Sequence, residues 1–260
     1  MKAVLASFNW LILLFLVAPV GIVIPMAFNS SPYLQFPPTS FSMRLFRSFF
    51  TDPAWTSAAL RSLEVALGAM AIAVALGVPA AMGLVFGHVP ARKLVQTLFL
   101  APLIVPTIVF ATSSYGWYAG LNLVGTVFGL IIAHGVLTSP LVVVSVAATL
   151  QTFDIRLELA AMSLGADRVQ TFGRITLPLI ARGVLAGAIF AFAVSFDELI
   201  LALFLLGPSD QTLPMRIWEG IRTSIDPIIA AVAALMIILA VLIALVPLLG
   251  SLRSARTATD

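Results

Sequence analysis

Two adjacent carboxylates interrupt an apolar run in the second half of the chain: Ser195-Phe196-Asp197-Glu198, followed by Leu-Ile-Leu-Ala-Leu-Phe. An acidic side chain at the centre of a bilayer costs on the order of 3 kcal/mol, so two cost about 6 before any partner is found. Such a pair calls for a polar cavity or a cationic partner. A cationic solute, above all an amine, would meet that need in transit. The aromatic side chains Phe190, Phe192, Phe196, Tyr115, Trp117 and Tyr118 would add cation–π contacts where they face the path. The structural alternative is an interhelical salt bridge or hydrogen bond. Neighbouring helical residues diverge by about 100°, so one cavity takes only one of the two acids. Asp197, Glu198, Phe196, Trp117 and Tyr115 are therefore the candidate solute path. His134, in another apolar run, reads as a hydrogen-bonded packing residue rather than a proton carrier.

Other chemistry is absent from the pattern. The chain has no cysteine, so disulfides and thiolate metal sites are excluded. No metal-ligand cluster and no nucleophile–base constellation appears, so neither a catalytic residue nor a metal is expected. The two lysines, Lys2 and Lys93, do not sit in G-x-x-x-x-G-K-[ST], so the chain has no phosphate-binding loop and any ATP and Mg²⁺ must be bound by another chain. The arginines are scattered among apolar runs, which argues against nucleic-acid binding.

The elements that position these residues follow from composition. Of 260 residues, 61% are hydrophobic and 10% charged, whereas soluble domains carry about 25% charged residues. A mean hydropathy of +1.11 makes lipid the solvent. A span needs about 20 apolar residues. Six stretches qualify, at about 9–28, 60–86, 94–118, 125–150, 183–206 and 227–249. The predicted fold class is all-α: a polytopic bundle of six transmembrane helices forming one membrane domain over residues 1–260. The first run is too long for a signal-peptide core and is read as a retained span. Asp226 and Pro227 suit the start of the last span. Gly83 and Gly87, Gly125 and Gly129, and Gly183 and Gly187 are spaced for close helix approach. Pro79, Pro102, Pro106 and Pro140 can each kink a span.

Charge sets the expected orientation. With six spans, Lys2, Arg92, Lys93, Arg156, Arg168, Arg174, Arg182, Arg253 and Arg256 share one side, and Arg44, Arg47, Arg61, Arg216 and Arg222 the other. The larger set is expected to face the cytoplasm, with both termini inside.

The longest inside loop then covers residues 151–182, QTFDIRLELAAMSLGADRVQTFGRITLPLIAR. It reads as two short helices. Asp154 caps the first and Gly165 stops it. Asp167 caps the second, with Gln170 three residues on, and Pro178 opens the run into the fifth span. Leu157, Ala160, Ala161 and Leu164 form one apolar, small face that needs cover from a protein partner. The alternative is a helix lying on the lipid surface, but its polar face is short of basic residues.

The residues Ala160-Ala161-Met-Ser-Leu-Gly165, then nine residues, then Ile175-Thr-Leu177-Pro178, resemble the E-A-A loop of ABC importer permeases of the binding-protein-dependent, type I kind. Gly165-Ala166 and Thr171-Phe172 share the likeness. The family's glutamate position is Leu159 here, with Glu158 one residue earlier. The resemblance implies that Glu158, Ala160, Ala161, Gly165, Ala166, Ile175, Leu177 and Pro178 belong to a loop that couples to a separate ATPase. It also implies a second, non-identical permease subunit, two ATPase subunits, a periplasmic binding protein and a place in the bacterial inner membrane. SFDEL with GPSDQTLPMRIWEGIR at 207–222 is similar to permeases of the spermidine/putrescine type, which implies polyamine import by alternating access. Related permeases carry aminoalkylphosphonates, opines or ferric iron. From the residues alone, a proton-coupled carrier using Asp197, Glu198 and His134 is the rival of a different class.

Overall fold

The computed structural model describes residues 2–256 except His88, Pro208 and Ser224, with side chains outside 3, 4 and 246–256. Among the described residues the regular elements are helical. They are α1 (Lys2–Ala27), α2 (Arg44–Thr51), α3 (Pro53–Phe86), α4 (Arg92–Ile104), α5 (Thr107–Gly120), α6 (Val127–Leu150), α7 (Arg156–Ser163) and α8 (Arg168–Thr171). A π turn (Phe172–Thr176) leads into α9 (Leu177–Asp197), followed by α10 (Ile200–Leu205), α11 (Leu213–Thr223) and α12 (Ile228–Arg256). The side chains of Arg253 and Arg256, counted in the expected charge balance, lie outside the described residues.

Among the described residues, five helical runs are long and apolar enough to cross a membrane: Leu5–Ala27, Pro53–Phe86, Val127–Leu150, Arg168–Asp197 and Ile228–Leu245. Two expected spans differ from the structure. The stretch at 94–118 is a bent pair, with α4 and α5 meeting at 103°. Proline is the cause. Val105, ahead of Pro106, is extended at ψ 130°, as a pre-proline residue prefers, and Pro106 has no N–H to continue the helix. The stretch at 183–206 is likewise not one helix. It ends at Asp197, and Glu198 turns the chain into the separate α10.

The described residues form two compact units, 2–59 with 213–246, and 60–212 with 247–256. In the first, Ala27, Ala230 and Ala234 are buried beneath Met26, Phe28, Leu34 and Phe46. The Arg216 guanidinium lies 5.5 Å above the Trp55 ring. Asp226 starts α12 as expected, its Oδ1 accepting from the Ile228 N–H at 2.9 Å.

In the second unit α6 is the central helix. Its Val142, Val143, Val146 and Leu150 pack with Ala73, Val78, Ala81 and Leu84 of α3 and with Ile180 and Ala191 of α9. Glycine makes this approach close. A Cβ on Gly187 would stand 2.8 Å from the Val142 Cα, and one on Gly183 would strike the Thr149 side chain. Of the three expected glycine pairs, this one carries a helix–helix contact. Gly83 faces open space, and a Cβ on Gly87 or Gly129 would meet nearby backbone of its own segment. Overpacking of this kind costs about 1–3 kcal/mol. Gly187→Ala is therefore expected to lower the thermal midpoint of the detergent-solubilised protein by several degrees. An unchanged midpoint would mean that α6 and α9 separate without cost.

Candidate functional site

Two regions of the second unit carry the candidate residues. The first is the 151–182 loop. Asp154 Oδ1 accepts from the Arg156 N–H at 2.9 Å and starts α7. The helix ends in a Schellman motif: Ala166 N–H donates to Ala161 O at 3.1 Å and Gly165 N–H to Met162 O at 3.0 Å. Gly165 sits at φ +90°, a conformation that glycine reaches without steric cost. The spacing from Ala161 to Gly165 is thus the spacing of a helix end. Asp167 Oδ1 accepts from the Gln170 N–H at 2.8 Å and starts α8.

The rest of the loop is more continuous than two short helices followed by a span. From Arg168 the chain runs helically through the π turn into α9, with Pro178 in its first turn, where proline fits. Thr171 and Thr176 are buried, and Phe153 and Phe172 pack against the α3–α6–α9 core. Phe153 also meets the Phe86 ring at 5.7 Å. The loop is therefore anchored at both ends while α7 stands off the core.

On α7 the apolar residues Leu157, Leu159 and Met162 are exposed, and Leu164 beyond its end is 89% exposed. Ala160 is exposed and Ala161 half-buried. Leu159, at the family's glutamate position, adds apolar surface. Glu158 turns the other way, and its Oε1 accepts a hydrogen bond from the hydroxyl of the buried Thr176. Ile175 is half-buried in the π turn, and Leu177 and Pro178 are exposed.

The second region surrounds α5. Phe110, Ser113, Ser114, Trp117 and Tyr118 fall at i, i+3, i+4, i+7 and i+8, which puts them on one helical face. With Val136 of α6 they line a cavity of about 330 Å³. Two serine hydroxyls and three aromatic side chains, one of them the phenol of Tyr118, line it, with no charged group. Of the expected path residues Trp117 is in it, as is Tyr118 from the wider set of aromatics. Tyr115, one residue past Ser114 and about 100° round the helix, is exposed elsewhere on α5. The signal for Phe110, Ser113 and Ser114 was helical spacing, which a hydropathy average conceals.

The acidic pair is divided between roles. Asp197 is the exposed last residue of α9. Glu198 Oε1 accepts from the Ile200 and Leu201 N–H groups at 2.7 and 3.0 Å, capping α10. Neither acid lines the α5 cavity. Phe196 stacks on Phe192, with centroids 5.7 Å apart. Glu198 nevertheless bears on the cavity's frame. The helix it caps packs against α5 and α6, and Leu205 O at its end accepts from the Gly125 N–H at 2.7 Å. His134 is buried, with Nδ1 2.8 Å from Ser195 Oγ, and so joins α6 to α9 two residues before that helix ends. The reading of His134 as a hydrogen-bonded packing residue agrees with this contact. Among the described residues, no cluster of groups able to hold a metal ion occurs.

Known proteins resemble the chain over most of its length. The family model described as the binding-protein-dependent transport system inner membrane component matches residues 73–257. The putrescine transport system permease protein PotI of Escherichia coli K12 is 32% identical over 230 residues, covering 84% of this chain and 80% of that protein. The spermidine/putrescine transport system permease protein PotC of Haemophilus influenzae is 27% identical over 228 residues, covering 87% and 88%. A crystal structure of a bacterial ABC transporter that imports the acidic polysaccharide alginate contains a chain of the same fold. Its TM-score is 0.75 at 13% identity, with 96% of this chain and 95% of that one covered.

Proposed function

Because the chain belongs to the family of inner-membrane components of binding-protein-dependent transport systems, a multi-pass ABC permease family, we propose that it is the permease subunit through which an ATP-driven importer moves a polyamine. One observation carries the energy-coupling half of this reading. The 151–182 loop presents an exposed apolar helix, α7, on a base anchored by Phe153 and Phe172 to the helices that cross the membrane. That arrangement suits a separate ATPase, which would bind the ATP and Mg²⁺ for which this chain has no phosphate-binding loop. On this reading the loop and both termini face the cytoplasm, and a second, non-identical permease completes the pathway. A periplasmic binding protein delivers solute to the opposite face. ATP binding draws the ATPases together, and the motion reaches the spans through α7. The chain itself does no covalent chemistry.

The substrate half rests on the cavity along α5 and on relatives named for putrescine and spermidine. Trp117, Tyr118 and Phe110 offer aromatic faces to an alkylammonium group, and the hydroxyls of Ser113 and Ser114 can accept its N–H bonds.

The test is uptake by the importer assembled with its neighbouring-gene partners in proteoliposomes. Labelled putrescine and spermidine are expected to accumulate with internal ATP and to keep accumulating with an uncoupler present. An aminoalkylphosphonate, an opine and ferric iron serve as competitors. Uptake that survives without ATP and collapses with the uncoupler would replace this reading with a proton-coupled carrier. Uptake blocked by a competitor other than an amine would move the substrate to that class.

A further inference from the structure

The loop contains a polar contact that docking alone does not require. Glu158 lies on α7, the helix proposed to meet the ATPase, but its carboxyl group turns away from the exposed apolar face and accepts from Thr176 Oγ1. Thr176 is fully buried and is the last residue of the π turn, immediately before α9. The two residues are 18 positions apart. Between them the chain passes a left-handed glycine, the four-residue α8 and the five-residue π turn. That covalent route is helical from Arg168 onward and breaks once, at Gly165. The hydrogen bond bypasses that break and joins the standing helix directly to the helical run that becomes the span.

We propose that Glu158 is a positioning residue whose bond to Thr176 transmits displacement of α7 directly to α9, so that solute movement stays tied to ATP turnover. The proposal rests on the reading of α7 as the ATPase contact. Without the bond, α7 can follow the ATPase while the break at Gly165 absorbs the motion, and the span lags. A hydrogen bond to a charged group is worth about tenfold or more in an equilibrium between two positions. Glu158 also accounts for the pattern at its neighbour: with the acid facing inward at 158, the following position presents Leu159 outward.

The readout is solute moved per ATP hydrolysed, measured on the assembled importer in proteoliposomes together with the amount of ATPase that co-purifies. Glu158→Ala and Thr176→Val are each expected to lower that ratio about tenfold while the ATPase still co-purifies. Glu158→Gln, whose amide oxygen still accepts, and Thr176→Ser, whose hydroxyl still donates, are expected to stay within about threefold of the wild type. The double variant Glu158→Ala with Thr176→Val should be no worse than the poorer single variant, because one bond is lost only once. A wild-type ratio in Glu158→Ala would overturn the proposal, as would additive losses in the double variant. If Thr176→Val fails to insert, Glu158→Ala decides, since residue 158 lies on a helix that stands off the core. Ala161→Asp in the same assay separates the two levels. If that variant loses the ATPase while Glu158→Ala keeps its ratio, transmission through Glu158 fails alone. If Ala161→Asp keeps both ATPase and uptake, the docking reading fails and this proposal with it.

Discussion

Ala161→Asp is expected to abolish solute uptake and to strip the ATPase from the purified complex, with the membrane subunit still inserted. The expectation follows from where Ala161 sits. It belongs to the stripe Leu157, Ala160, Ala161 and Leu164, whose members are exposed or half-buried. Small side chains there let another protein surface come close. A carboxylate at the centre of that contact would be stripped of water without a partner, at a cost of several kcal/mol. Each 1.4 kcal/mol is about tenfold in affinity, so the loss amounts to a hundredfold or more. The substitution leaves the helix end intact, because the Schellman bond uses the Ala161 carbonyl and not its side chain. Co-purification in detergent and uptake in proteoliposomes both report the outcome. Normal values in both would remove α7 from the ATPase contact.

Trp117→Ala is expected to raise the KM for amine uptake about threefold. Trp117 is 74% exposed, and a cation–π contact with an exposed indole contributes about 0.5–1 kcal/mol, which converts to about that factor. Trp117 faces the α5 cavity beside Tyr118, Ser113 and Ser114. Trp117→Phe keeps an aromatic face and should lose only part of the affinity. Tyr115→Ala serves as the comparison, because Tyr115 is absent from the cavity lining. Equal effects at positions 115 and 117 would show that the cavity is not the amine's route. Unchanged amine uptake in both would move solute recognition off α5 altogether.

Much of the frame was legible in the sequence because it follows from local rules. Apolar runs of span length, the caps at Asp154, Asp167 and Asp226, and the stop at Gly165 each need only neighbours in the chain. The misread features are those in which a residue type has two local meanings. Pro106 reads as a kink, but only the extended Val105 before it shows a turn of 103°. Glu198 reads as a carboxylate in need of a polar cavity, a cationic partner or a hydrogen bond, and local rules do not foretell that its partners are two backbone N–H groups exposed by a helix break. An acid followed by two apolar residues fits a buried charge and a helix cap equally well. The bond from Glu158 to Thr176 spans 18 residues and has no local signature. Among the aromatic path candidates, helical spacing separates Trp117 from Tyr115 once Phe110, Ser113 and Ser114 are seen on the same face.

The π turn at Phe172–Thr176 has a consequence for chain length. A π turn holds one residue more than an α turn, so it sets the angular phase between α7–α8 and the span that follows. Adding or removing one residue between Gly165 and Pro178 would rotate everything upstream by about 100° relative to α9. Glu158 would then point away from Thr176, and the exposed leucines would point away from any partner positioned to receive them. The number of residues in this stretch is in effect an angle setting. Substitutions within it can be graded by size or charge, whereas a change in length cannot be absorbed by degrees.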